Sequence, residues 1–308
     1  MPANPFLGAN IDSTYGAFAA MYHYLISRGQ AWFVDSTSGA DSNSGQSPLA
    51  PFATLQKAFD MAATNNDDHI FLAPLHAEFI ASAGAITLSK NGIRVFGLGQ
   101  GSRMPTFTWS NTAGTFLVSG EGNILDNLRC TCSVDEIVKL WSVTGLNNEL
   151  SRVNYFETAT KQAIQFLLAS SAAHDFTLRG CRHHQATAAG SAQKWIELAG
   201  CNRALVEKNA FFLTLNNAAG SVTISVSSAS LNSEIAWNVI SQLGGTTQTS
   251  GILVVDSSTG TFVHDNRVAV GSTALPGIVT VGTGGYAAEN YALNTANKSG
   301  LLDPVADS

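Results

Sequence analysis

Apolar and polar positions alternate in a segment that recurs eight times along the chain, at spacings between 24 and 30 residues. In each copy an apolar residue is followed by two variable residues and an anchor. The apolar positions are Val95, Leu125, Leu150, Leu178, Val206, Ile235, Val263 and Ala287. The anchors are Leu98, Leu128, Val153, Cys181, Asn209, Asn238, Asn266 and Asn290. A repeat of this length indicates a solenoid, whose units bury their apolar faces only against their neighbours.

A second alternating run lies about a dozen residues before each anchor, as in TFLVS at 115, IVKLW at 137 and VTISV at 222. Three strands of about four to six residues and three turns account for the period. Because no amphipathic helix separates the runs, alternating βαβ folds are excluded. The sequence predicts an all-β, right-handed parallel β-helix of about eight coils, with the hand set by the crossover rule.

Equivalent residues of successive coils should stack in columns about 4.8 Å apart. The eight apolar positions then form one wall of the core. We expect Asn209, Asn238, Asn266 and Asn290 to form a ladder whose amides satisfy one another and the backbone, at a turn that Asn tolerates.

The open end of a solenoid exposes unpaired strand edges and core, so it needs a cover. A short capping helix is predicted near residues 54–63, with Thr54 as N-cap. Its apolar face follows the i, i+3, i+4, i+7 spacing, with Leu55, Ala58, Phe59 and Ala62.

The succession FVDS, DSNSG, SPLAPFATLQKAFDMA and HIFLAP resembles the N-terminal coil of pectin-lyase-like right-handed β-helix proteins. With the repeats, the resemblance covers about residues 31–292. It implies a superfamily that includes polysaccharide lyases, hydrolases, phage tailspikes and other virion proteins. The stretch from HIFLAPLHAEF to VFGLGQGSRMPTF is also similar to β-helix proteins encoded in phage structural regions, which implies a virion part. No catalytic residue is carried over.

The two ends lie outside the coil pattern. Residues 1–30 form a predicted attachment arm, with Phe6, Phe18, Tyr22 and Leu25 as its possible interface; the arm packs either on its own solenoid or on a partner. Residues 293–308 form a predicted C-terminal cap, with Leu301 and Leu302 plugging the core.

Charged residues make up only 12% of the sequence, and the net charge is -6 with scattered Lys and Arg. This pattern disfavours nucleic acid and anionic membranes as partners. The first residues have no basic start and no uninterrupted apolar core, so we expect assembly in a host cytoplasm. The four cysteines lack zinc spacing and are predicted to be small buried residues; no cofactor or metal is expected.

Few residues could carry chemistry. Asp265 and Glu289 fall on adjacent coils, and His264 could join them as in a glycosidase site, although a solvent-facing turn also explains them. His183 and His184 could transfer protons or bind a metal, or could end a strand.

The loop with Asp35 and Asp41 could hold Ca²⁺, but turn chemistry alone accounts for its residues. A lyase would need clustered carboxylates and a base, and the columns show no such cluster.

The leading prediction is a non-enzymatic virion protein, a capsid cement or decoration protein that binds phage capsid protein and copies of itself as a homotrimer. The alternative is a tailspike or tail-fibre module that binds or cleaves a surface polysaccharide. A free polysaccharide lyase or hydrolase is a third possibility, which the missing export signal disfavours.

Overall fold

The computed structural model describes residues 29–216, 218, 220–243, 250–271, 279–293 and 301–302. Phe6, Phe18, Tyr22 and Leu25 of the predicted arm lie outside this part of the chain, as does most of the predicted C-terminal cap. Within it the chain is an all-β parallel β-helix with three sheets, as the sequence predicts. The crossover rule makes it right-handed.

Between His69 and Val281 each coil passes through the three sheets in the order A, B, C. Sheet A contains β1 Ala31–Val34, β2 His69–Leu72, β5 Arg94–Gly97, β8 Ile124–Asp126, β11 Glu149–Ser151, β14 Thr177–Arg179, β17 Leu205–Glu207, β20 Glu234–Ala236, β23 Phe262–His264 and β26 Tyr286–Ala288.

Sheet B contains β3 Ala77–Ile80, β6 Thr106–Trp109, β9 Arg129–Cys132, β12 Asn154–Phe156, β15 Arg182–Gln185, β18 Ala210–Thr214, β21 Val239–Leu243, β24 Arg267–Val270, β27 Asn290–Leu293 and β28 Leu301–Leu302. All neighbours in it are parallel except β28, which pairs antiparallel with β27 at the end of the sheet. Leu301 and Leu302, predicted as a core plug, therefore form an edge strand.

Sheet C contains β4 Ile86–Leu88, β7 Phe116–Val118, β10 Trp141–Val143, β13 Leu167–Ala169, β16 Lys194–Ala199, β19 Val222–Ser227, β22 Ile252–Val254 and β25 Val279–Val281. The alternating run IVKLW at 137 was predicted as the strand of this coil. The observed strand β10 begins only at the last residue of that run, Trp141, which pairs with Phe116. Ile137 forms an isolated bridge to Ala163 instead.

The predicted apolar column is confirmed in full. Strand register pairs Val95 with Leu125, and each later member with the next, up to Val263 with Ala287. Two residues of the first coils, Trp32 and Ile70, extend the column at its N-terminal end. Since the period along a strand is two, this register also fixes which residues face outward.

The corner between sheets A and B has a left-handed residue on seven successive coils. These residues precede the anchors and have φ between 50° and 64°: Asn127, Arg152, Gly180, Lys208, Trp237, Asp265 and Glu289. The sequence predicts a turn at the Asn anchors, and the left-handed residue of that turn lies one position before each anchor. The corner turns the chain out of sheet A, and the anchor then points inward.

The four Asn anchors are buried and hydrogen-bond to one another from coil to coil. Asn209 Nδ2 donates to Asn238 Oδ1 at 3.0 Å, and the next two steps, to Asn266 and Asn290, measure 2.9 Å. Each Nδ2 also donates to a carbonyl of the preceding coil, as Asn238 does to Val206 at 2.9 Å. The amides therefore satisfy backbone groups that the corner would leave unpaired.

The capping helix α1, Leu55–Met61, stands where later coils have a strand of sheet C and contacts β4. Thr54 is its N-cap, as predicted: the hydroxyl accepts a hydrogen bond from the Lys57 amide at 3.2 Å. Gln56 Oε1 accepts a bond from the Thr87 amide at the exposed edge of β4, at 2.8 Å. The helix thus covers both the core and the first edge of sheet C.

Core side chains become smaller towards the C-terminal coils. The largest buried ones, which include Trp109, Trp141, Trp195 and Phe211, all lie before residue 215. Beyond it, the buried apolar residues of the described part are only Val, Ile and Ala. The aromatic coils therefore bury more apolar surface than the later coils do.

We expect Asn238→Ala to lower the free energy of unfolding by about 2–4 kcal/mol, because it leaves buried groups of two neighbouring coils without partners. Urea denaturation followed by circular dichroism measures the change. Asn290→Ala, at the end of the described ladder, is the matched control and should cost less. Equal losses for the two variants would contradict a ladder whose bonds act in series.

Candidate functional site

The outer face of sheet A near its C-terminal end carries a cluster that we call the His264 site: Glu234, Trp237, Phe262, His264, Asp265 and Tyr286. Its strands β20, β23 and β26 each turn their middle residue into the core. Glu234, Phe262 and Tyr286 are therefore in register on three successive coils and face outward. The corner adds Trp237 and Asp265 beside them.

His264 lies between two carboxylates. Its Nδ1 is 2.8 Å from Asp265 Oδ2, and its Nε2 is 3.0 Å from Glu234 Oε1. The imidazole is mostly buried, whereas 45% of the Glu234 side chain and 36% of the Asp265 side chain are exposed. Each carboxylate therefore holds the ring and still offers oxygen atoms to solvent.

Aromatic rings surround this charged group. Phe262 stacks on His264 with ring centroids 4.4 Å apart, and Trp237 meets the same ring edge-on at 5.2 Å. Trp237, Phe262 and Tyr286 remain 46%, 40% and 65% exposed. Three exposed aromatic residues beside one another are unusual on a surface without a ligand.

The charges of the site favour a protonated histidine. Partial burial lowers the pKa of His264, but the hydrogen bonds and charges of Asp265 and Glu234 outweigh it and raise the pKa above 6.5. Lys208 Nζ lies 5.3 Å from the Trp237 ring centroid, a cation–π contact that fixes one side of the indole.

This arrangement is suited to binding. Both ring nitrogens of His264 are engaged, and the two nearby carboxylates act as its partners. Glycosidases require instead two carboxyl groups facing each other across the scissile bond, one of them protonated. Exposed carboxylate oxygens and flat apolar rings can accept hydroxyl hydrogen bonds and pack against a ligand ring.

The structure changes the predicted carboxylate pair. Asp265 and Glu289 do occupy the same corner on adjacent coils. The carboxylate that shares His264 with Asp265 is, however, Glu234, from the preceding coil. Sequence reasoning missed Glu234, Phe262 and Tyr286. The signal was their common position, one residue before the apolar column.

His183, one of the two candidate histidines, belongs to the core. The Trp195 indole donates to its Nδ1 at 2.8 Å, so Nε2 carries the proton and donates to the Val153 carbonyl at 3.0 Å. Burial lowers the pKa of His183 to about 3. The ring is thus a neutral structural group, while its neighbour His184 is exposed.

The candidate calcium loop uses its carboxylates internally. Asp35 accepts hydrogen bonds from the Thr37 amide and the Ser38 hydroxyl. Asp41 accepts from the amides of Ala53 and Thr54 and from the Thr54 hydroxyl, at 2.9 to 3.0 Å. Turn and cap chemistry therefore accounts for both residues.

The described residues contain no group of three or more His, Cys, Asp or Glu side chains placed to hold a metal ion. They also contain no helix long and apolar enough to cross a membrane.

The four cysteines are free and buried, as predicted, and burial raises the pKa of each thiol.

No protein-family model matches the sequence, and neither does any curated protein. Among solved structures, a rhamnogalacturonan lyase is 12% identical, with a TM-score of 0.42 over 89% of this chain and 90% of that chain. The GH136 lacto-N-biosidase of Eubacterium ramulus is 12% identical, with a TM-score of 0.39 over 92% and 71%. Similarity this low transfers neither a site nor an activity.

We expect the pKa of His264, measured by NMR titration, to lie above 6.5 and to fall in Asp265→Asn, which removes one negative partner. The protonated ring then contributes stability that is fully present below pH 6.5 and is lost as the pH rises through the raised value. An unchanged His264 titration in Asp265→Asn would contradict the pairing.

For His183 the change of stability with pH has the opposite sign. The unfolded chain binds a proton near pH 6.5 and the folded chain near pH 3, so acid lowers stability by up to about 1.4 kcal/mol per pH unit in between. Urea denaturation at pH 7 and pH 5 should show a smaller loss for His183→Gln than for the unmodified protein. His184→Gln, on the exposed side, should behave like the unmodified protein.

Proposed function

We propose that this protein is a non-enzymatic β-helix that binds a neutral polysaccharide at the His264 site. The observation that carries the proposal is a set of three exposed aromatic rings, two of them against a histidine held by two carboxylates and the third, Tyr286, on the next coil. Rings supply apolar faces for sugar rings, and the outward carboxylate oxygens accept bonds from sugar hydroxyls. The two carboxylates outnumber the one imidazolium, so these three groups carry a net negative charge. That charge disfavours binding of acidic polysaccharides.

The spacing of the rungs suits a polymer. Phe262 and Tyr286 lie on adjacent coils, so their rings are about 4.8 Å apart along the solenoid axis. A chain lying along the axis would contact several coils at once, and its many weak contacts would add up. The site is an open face, as a long polymer requires.

The virion assignment remains a prediction. The cement role depends on the arm at residues 1–30, and the homotrimer and the capsid partner depend on the resemblance to phage proteins. Polysaccharide binding belongs to the alternative, a tailspike or tail-fibre module, and the His264 site favours the binding half of that alternative.

Affinity electrophoresis in gels containing dextran, galactomannan or xyloglucan tests the proposal. At least one polymer should retard the unmodified protein. Trp237→Ala and Tyr286→Ala should each weaken that interaction at least about tenfold, or about 1.4 kcal/mol, since each removes one exposed ring.

Phe79→Ala is the matched control, because Phe79 is 70% exposed but lies on β3 at the other end of the solenoid. It should leave the retardation unchanged. Retardation by none of the neutral polymers, or equal losses in all three variants, would refute binding at the His264 site.

A further inference from the structure

The outer face of sheet B carries three arginines in one column. Arg129, Arg182 and Arg267 are the first residues of β9, β15 and β24, and strand register places them on the same line. The line passes through Asn154, Ala210 and Val239 between them. With about 4.8 Å per strand, the guanidinium groups recur after about 10 Å and about 14 Å.

These arginines lack the ion pairs that other arginines make. Arg94, Arg152, Arg179 and Arg203 each pair with a carboxylate of a neighbouring coil or turn. Arg129, Arg182 and Arg267 form no salt bridge with any described residue. Strands β6 to β27 of sheet B contain no Asp or Glu, so this face offers them none.

Two of the three guanidinium groups lie over aromatic rings. Arg129 Cζ is 5.4 Å from the Phe156 ring centroid, and Arg182 Cζ is 5.9 Å from that of Phe212. Each phenylalanine lies one coil beyond its arginine, in the neighbouring outward column. The pairs Arg129–Phe156 and Arg182–Phe212 are therefore two coils apart, and their rings hold the cations in place.

One of these donors is left without a partner. Arg129 Nε is buried and has no hydrogen-bond acceptor, although a buried donor is costly to leave unpaired. That atom is covered, so a ligand on the surface meets the outer part of the guanidinium group instead. Guanidinium groups bind carboxylates in a bidentate geometry, so carboxylates suit the three arginines that have no ion pair.

We propose that this arginine face, formed by Arg129, Phe156, Arg182, Phe212 and Arg267, binds an acidic polysaccharide whose carboxylates alternate with neutral sugars. The carboxylates would pair with the guanidinium groups, and the neutral sugars would lie over the uncharged positions between them, at Asn154, Ala210 and Val239. The face lies on sheet B, across the corner from the His264 site on sheet A, and prefers the opposite charge, so it goes beyond the function proposed above.

The charge spacing selects this class of polymer. Nucleic acid carries a phosphate about every 3.4 Å along each strand, which three cations at about 10 and 14 Å would leave mostly unpaired. A polymer with a carboxylate on every sugar would likewise leave most of its charges unpaired. A chain charged at every second sugar leaves a neutral unit over the uncharged positions between the arginines.

Isothermal titration with hyaluronan, which has a carboxylate on every second sugar, tests the proposal. The comparison polymers are polygalacturonate, charged on every sugar, uncharged dextran, and single-stranded DNA. The full chain should bind hyaluronan best, and the affinity should fall with added salt because these charges are exposed. Arg182→Gln and Arg267→Gln should each lower the affinity at least about fivefold, and the double variant should abolish binding.

Arg203→Gln is the matched control, since Arg203 is exposed but paired with Asp175 on another face. It should leave hyaluronan binding unchanged, as should Trp237→Ala. Thermal denaturation would confirm that each variant is folded.

Three results would overturn the proposal: absence of hyaluronan binding, equal affinity for polygalacturonate or DNA, or an equal loss in Arg203→Gln. Failure of the neutral polymers alone would count only against the His264 site. A dimer or trimer that dissociates in Arg182→Gln without hyaluronan binding would assign the face to self-association and also overturn the proposal.

Discussion

Coil-to-coil hydrogen bonding at the corner between sheets A and B is the interaction on which the other features depend. The left-handed residue turns the chain, and the buried anchor that follows must satisfy the carbonyls that the turn exposes. Where the anchor is Asn, one amide does this for two coils at once. The corner thereby fixes the register of both adjoining sheets, and register decides which side chains face solvent in columns.

The sequence revealed the inside of the molecule better than its outside. Residues such as Leu150 and Val263 repeat because every coil needs an apolar residue at that point, so one chain contains eight samples of the same constraint. Outward positions carry no such constraint, and Glu234, Phe262 and Tyr286 share a column without sharing chemistry. The left-handed position before each anchor could not be read from the sequence, because side chains as different as those of Trp237 and Asp265 occupy it.

The amino-acid composition also did not reveal how charges are distributed on the surface, because outward positions carry no repeated constraint. Low charge and scattered Lys and Arg disfavoured nucleic acid and anionic membranes as partners. Folding instead sorts the charges: Arg152 and Arg179 are neutralised on sheet A, while Arg182 and Arg267 face solvent on a sheet B surface without carboxylates. Residues far apart in the sequence become neighbours only after the coils stack, so no local motif records the arrangement.

Buried side chains become smaller along the solenoid axis, so the N-terminal coils are more stable than the C-terminal coils. Coils built around Trp141 and Trp195 hold together through large buried rings, whereas those after residue 215 rely on Val, Ile and amide bonds. In a repeat protein, opening proceeds from the weaker end as partial unfolding of successive units. The His264 site lies on that weaker end. A polymer bound across these coils would therefore restrain their local unfolding. It would slow backbone amide hydrogen exchange in the coils whose core stabilises them least.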